Sequence, residues 1–202
     1  MIFKRFFTPP SQSYFLFGPR GTGKTTWLKS HYPNAYWIDL LDPESFRYFS
    51  AGAERLGSIL EEQQHIKTVV IDEIQKVPEL LDMIHSLIEQ KRGLQFIMTG
   101  SSSRKLKKEG VNLLGGRALL KHMPPFFAAE LGDSFDLKKN LSIGMLPLVL
   151  DASSPKEILR AYAGIYLKEE VQAEGIVRNV VDFARFLETM SFSHASVINA
   201  SN

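Results

Sequence analysis

Cysteine is absent from the 202 residues. That excludes a disulfide framework and any thiolate metal site, and it suits a reducing cytosol. The five histidines are scattered, and none forms a paired metal-ligand spacing. An excess of one charge is also missing: 24 Lys and Arg stand against 22 Asp and Glu, for a net charge of +2. So near a balance announces neither a nucleic-acid nor a membrane partner. No apolar run approaches the roughly 20 residues needed to cross a bilayer. The opening MIFKRFFTPPSQS carries a basic pair but no apolar core long enough for a signal peptide, and Pro9-Pro10 interrupts it. The expectation is a soluble, cytoplasmic globular chain without a membrane partner.

Apolar runs alternate with helical patterns up to about Pro125. Tyr14–Phe17, Ala35–Asp39, Thr68–Ile71, Leu94–Met98 and Ala118–Met123 predict strands. TVVI has no polar alternation, as expected of a strand covered on both faces. Asp42-Pro43 reads as an N-cap and first helical position, opening helical text with Leu56, Ile59, Leu60 and Gln63. After Pro78, the residues Leu80, Leu81, Ile84, Leu87 and Ile88 make a helical stripe, stopped by Gly93. This alternation implies a parallel sheet between two layers of helices. From Asp151 the text becomes mostly helical. Ser154-Pro155-Lys156-Glu157 reads as a capping box. The predicted organisation is a core over 1–150 and a helical lid over 151–202.

Between the first strand and its helix stands GPRGTGKTT, Gly18 to Thr26. Gly18, Gly23, Lys24 and Thr25 fit the phosphate-binding pattern G-x-x-x-x-G-K-[ST]. The spacing has a physical reason. A strand must turn sharply into a helix while its backbone N–H groups converge on one anion. Glycine permits the turn and the close approach. Lys24 supplies a point charge to the β- and γ-phosphates, and the Thr25 hydroxyl is the expected Mg²⁺ ligand.

A second element is VVIDEIQ, Val69 to Gln75. Asp72 and Glu73 emerge at the C-terminal edge of a buried strand, where open α/β sheets bind ligands. Asp72 suits the Mg²⁺ shell and Glu73 the attacking water. FIMTGSSSR then places hydroxyls at Thr99, Ser101 and Ser102 near a γ-phosphate, with Ser101 and Ser102 equivalent by spacing. In LLGGRALL, Arg117 is either a surface ion-pair partner or an arginine finger for a neighbouring subunit. SRKLKKEG is a basic cluster without interleaved aromatics, which reads as a solvated helix face rather than a nucleic-acid surface.

LFGPRGTGKTT, VVIDEIQKVPELLDMIHSLIE, FIMTGSSSRKL, LLGGRA and IYLKEEVQAEGIVRNVVDFARFLE together resemble a large prokaryotic family of AAA-type ATPases. Its members carry a C-terminal domain of unknown function. The resemblance implies a P-loop NTPase fold of the ASCE type, three-layer α/β/α, with sheet order 5-1-4-3-2 and a helical lid. It makes Gly18, Pro19, Arg20, Gly21, Thr22, Gly23, Lys24, Thr25 and Thr26 the nucleotide-binding residues. Asp72 and Glu73 become Walker B, Ser101 or Ser102 the sensor, and Arg117 a finger in a homo-oligomer. The implied ligands are ATP and Mg²⁺. Family members continue past the last residue here, so an effector part with a helix-turn-helix-like segment is expected to follow. The leading expectation is an ATPase module driving such an effector. The alternatives are a nucleotide-dependent switch with little turnover, and a DNA-associated ATPase acting through the missing part. A small-molecule phosphotransferase is disfavoured, because a water-activating Glu73 does not help another acceptor.

Overall fold

The computed structural model describes residues 3–101, 114–166, 171, 177, 179–193 and 196. Five parallel strands form one sheet: β1 Tyr14–Phe17, β2 Tyr36–Asp39, β3 Thr68–Asp72, β4 Gln95–Gly100 and β5 Leu119–His122. Their order is β2-β3-β4-β1-β5, which is the expected 5-1-4-3-2 seen from the other side. Register fixes the site in advance. Asp39 pairs with Asp72, and Ile71 pairs with Met98, so Asp72 ends β3 beside Thr99, the last residue but one of β4, at one edge.

Strand parity divides the core. Phe15, Phe17, Val69, Ile71, Phe96 and Met98 face one way and bury against the helices α3 Arg55–Glu62 and α4 Leu80–Glu89. Tyr14, Leu16, Val70 and Ile97 face the other way, against Trp27 and Leu28 of α1 Lys24–His31. Of the stripe predicted for α4, Leu80, Leu81, Ile84 and Leu87 are buried and Ile88 is partly buried. Burial also pushes the Tyr14 hydroxyl pKa upward, with the Tyr32 hydroxyl adding to it.

One expectation is refined and another corrected. The helical text after Pro43 is two helices, α2 Pro43–Ser50 and α3. Gly52 lies in the turn between them, where its N–H donates to Phe49 O at 3.3 Å. A helix interior disfavours glycine, and the break lets Phe49 and Leu56 enter the same core from separate axes. The start of α2 is as read: Asp42 accepts a hydrogen bond from Ser45 N at 2.8 Å, and Pro43 is the first helical residue. The capping box at Ser154 does not form, since its side chain makes no cap hydrogen bond.

Three short helices follow β5: α5 Ala128–Leu131, α6 Leu137–Ile143 and α7 Pro147–Leu150. The chain divides into two compact units, Met1–Ala152 and Ser153–Asn202. The second unit contains α8 Pro155–Ile165 and α9 Val180–Phe192. Asn179 caps α9 by accepting from Val181 N at 2.9 Å. Among the described residues, no helix is long and apolar enough to cross a membrane.

Candidate nucleotide site

At the C-terminal end of β1 the chain turns through Gly18–Gly23 into α1. The turn admits no side chain at Gly18, where a Cβ would lie 2.2 Å from Met123 O. Gly21 and Gly23 have φ of 78° and 84°, in the left-handed region that other residues avoid. Thr22 Oγ1 closes the loop by donating to Pro19 O at 2.9 Å. Lys24 is buried, and its Nζ donates to Gly18 O at 2.6 Å and Pro19 O at 3.2 Å. The ammonium is thus held against the loop itself. Pro19, Arg20 and Thr26 are exposed around it. The N-terminus of α1 has no side-chain cap, so its N–H groups and dipole stay available to an anion.

The second half of the site lies beside the loop. Asp72 is only 4% exposed. Its Oδ2 accepts from Thr25 Oγ1 at 2.8 Å, and its Oδ1 accepts from Thr99 Oγ1. The Thr99 hydroxyl in turn accepts from Glu73 N at 3.2 Å. One chain of hydrogen bonds therefore runs from α1 through β3 to β4. Glu73 has φ 63° and ψ 48°, a conformation uncommon for a residue with a side chain and frequent at functional sites. Gln75 Nε2 donates to Glu73 Oε2.

This donor set fits Mg²⁺. Thr25 and Asp72 offer hard oxygen atoms 2.8 Å apart. Among the described residues, no three His, Cys, Asp or Glu converge. Mg²⁺ characteristically takes one or two protein oxygens and completes its shell with water and phosphate, so a protein cage is not required.

A cavity of about 690 Å³ adjoins the loop. Thr22, Gly23, Thr26 and Trp27 form one wall, and residues 3–8 cross over as another. Phe7 meets Trp27 edge-on, with ring centroids 4.8 Å apart. Arg5 anchors the crossing segment. Its side chain is 6% exposed, lies 4.5 Å from the Phe126 ring centroid and pairs with Glu130 at 3.4 Å. Desolvation lowers the Arg5 pKa, and Glu130 opposes that shift. Glu130 also accepts from Phe6 N at 2.7 Å and Phe127 N at 2.9 Å. Sequence reasoning missed this wall. The only local signal was the clustering of Phe3, Phe6 and Phe7 about Arg5.

The structure brings together Gly18–Thr26, Asp72 and Glu73 with Thr99, one of the three hydroxyls read from FIMTGSSSR. Ser101 follows the last residue of β4 and is half-buried. Ser102 and the basic cluster Arg104–Lys108 lie outside the described residues. Arg117 is at the other edge. Leu119 pairs with Tyr14, so Arg117 precedes the start of β5, and four strand residues at about 3.3 Å each separate that edge from the loop. Its Nε donates to Glu89 Oε1 and its Nη1 to Gly115 O at 3.2 Å.

Solved structures resemble the chain distantly. The ORC2 protein of Aeropyrum pernix, in ADPNP and ADP complexes, is 14% identical with a TM-score of 0.40, over 82% of this chain and 58% of that one. The ORC1 protein of Aeropyrum pernix in complex with DNA is 17% identical with a TM-score of 0.41, over 90% and 60%. The replication initiator DnaA bound to AMPPCP and single-stranded DNA is 16% identical with a TM-score of 0.41, over 93% and 66%. This chain thus spans about three fifths to two thirds of their lengths. No curated protein sequence matches it. The model of the AAA domain matches residues 10–132, a stretch that begins ahead of β1 and takes in all five strands with the loop and carboxylates they carry, and the chain belongs to that family.

Proposed function

We propose that the chain binds ATP with Mg²⁺ and hydrolyses it to ADP and phosphate. The observation that carries this reading is the hydrogen-bond chain Thr25–Asp72–Thr99–Glu73 beside the glycine loop. Loop N–H groups and Lys24 hold the phosphates. Thr25 and Asp72 would hold Mg²⁺, which supplies charge neutralisation at the phosphate oxygens. The aromatic cavity beside Thr26 accommodates the nucleoside, and its size falls in the range of small-molecule sites. Glu73 accepts a proton from water as the water oxygen bonds to the γ-phosphorus. The bond to the bridging oxygen breaks, and its electron pair leaves with ADP. Work from this cycle passes to an effector part beyond this chain, in the cytoplasm, and Arg117 completes the site of a neighbouring copy.

Steady-state phosphate release by the chain, with Glu73→Gln and Lys24→Ala alongside, tests the reading. The expected result is Mg²⁺-dependent turnover that falls about 10²–10⁴-fold in Glu73→Gln while ATP still binds. Lys24→Ala is expected to lose binding. ATP binding without protein-dependent turnover would replace the ATPase by a nucleotide switch. Equal ATP affinity in Lys24→Ala and the parent would overturn the site altogether.

A further inference from the structure

We infer that Gln75 is a positioning residue that fixes the Glu73 carboxylate for its water. The inference rests on the ATPase reading and names a component that the loop and the acid pair do not supply. Glu73 is constrained at both ends. Its backbone is left-handed at φ 63°, with its N–H bound to Thr99 Oγ1 at 3.2 Å. Its Oε2 accepts from Gln75 Nε2. An ionised carboxylate only accepts, so the amide must turn its NH₂ toward Glu73. That turns Gln75 Oε1 inward, where it is buried without a hydrogen-bond partner among the described residues.

A buried carbonyl oxygen without a donor is unfavourable, and an apolar side chain of similar length would fill the space without it. Packing therefore does not explain an amide at this position. The neighbour does. Gly100 ends β4, directly after Thr99, and a Cβ there would stand 2.6 Å from Gln75 Oε1. The missing side chain at Gly100 admits the amide between Glu73 and the end of β4. Thr99 fixes the Glu73 backbone from the end of β4, and Gln75 fixes its carboxylate from the turn after β3. With Oε2 committed, one oxygen remains for the water. Such pre-organisation acts on the chemical step and leaves ground-state binding alone.

The test compares Gln75→Met, which keeps the volume and loses the donor, with the parent and with Gly100→Ala, whose Cβ displaces the amide. Turnover at saturating ATP, affinity for a fluorescent ATP analogue, and Tm are measured on each. Both variants are expected to lose about 10- to 100-fold in kcat, with affinity within about twofold. Tm of Gln75→Met is expected to equal or exceed the parent's. A contact readout needs no turnover. The side-chain amide resonances of Gln75, identified by their loss in Gln75→Met, should shift in Glu73→Gln. An active parent matched in kcat by Gln75→Met would overturn the inference and leave the ATPase reading standing. So would a joint fall of kcat, affinity and Tm, or an unshifted amide resonance. A parent that hydrolyses no ATP fails the ATPase reading, and this inference falls with it.

Discussion

The two edges of the one sheet use polar side chains in opposite ways. At the N-terminal edge, Ser13 Oγ accepts from Phe96 N at 2.9 Å, and Gln95 Nε2 donates to Pro10 O at 2.9 Å. These side chains complete backbone groups, as chain ends require. The charged pair there, Arg117 with Glu89, is exposed. At the C-terminal edge, Thr25, Asp72, Thr99, Glu73 and Gln75 bond mainly to one another across α1, β3, β4 and the turn after β3. Folding alone does not need a carboxylate at 4% exposure bound by two hydroxyls. A parallel sheet with crossover helices brings every strand-to-helix turn to this one edge. The contrast separates side chains that finish the fold from side chains placed for a ligand.

The largest effect should come from the loop backbone. Gly18→Ala puts a Cβ 2.2 Å from Met123 O, and no flexible side chain can yield there. The loop or β5 must move, with a loss on the order of 3 kcal/mol in urea unfolding and loss of ATP binding. An unchanged midpoint with intact binding would show that the edge is not rigid. That would undo the contrast at its strongest point.

Thr99→Val should act next in size. The substitution keeps shape and removes the hydroxyl that donates to Asp72 and accepts from Glu73 N. Two buried polar groups lose a partner, for roughly 1–2 kcal/mol of stability. Turnover should fall further than stability implies, because the Glu73 backbone is released. Thermal melts and kcat on the same preparation separate the two. A variant that melts earlier but turns over normally would make Thr99 a fold-completing residue after all.

Thr99 also marks where sequence reading stops. The glycine loop and the acid pair lie within nine and two consecutive residues, so their chemistry is local and legible. The strands are short apolar runs, equally local. The sheet order came from family resemblance, since periodicity does not rank parallel strands. The hydroxyl that touches Asp72 depends on the pairing of β3 with β4, which spans 27 residues. Spacing left Thr99 beside Ser101 and Ser102, and the family resemblance favoured the serines. The cavity wall joins Arg5 to Glu130 across the whole first unit, and no window of sequence contains both. The split of α2 from α3 was missed because helical periodicity carries across a short turn.

The smallest structural effect belongs to Arg117→Ala. Exposed pairs are screened and pay side-chain entropy, so Tm should move by no more than about 2 °C, and less in high salt. Its pH dependence has a definite sign. Hydrogen bonding and attraction to Arg117 hold the Glu89 carboxyl below its ordinary 4.5, with His85 adding a little. The pair's contribution is therefore complete above that value and is lost as pH falls through the lower folded value. A melting difference between parent and variant that persists well below that range would mean that Arg117 packs rather than pairs. Weakness is also what a finger requires. An arginine held loosely at the edge opposite its own loop can leave Glu89 for a neighbour's phosphates at little cost. Arg117→Ala should then abolish the part of specific activity that rises with protein concentration, leaving ATP affinity and Tm nearly unchanged. Specific activity that is flat with concentration in the parent, and equal in the variant, would make Arg117 a surface ion pair, and the functional edge would be the C-terminal one alone.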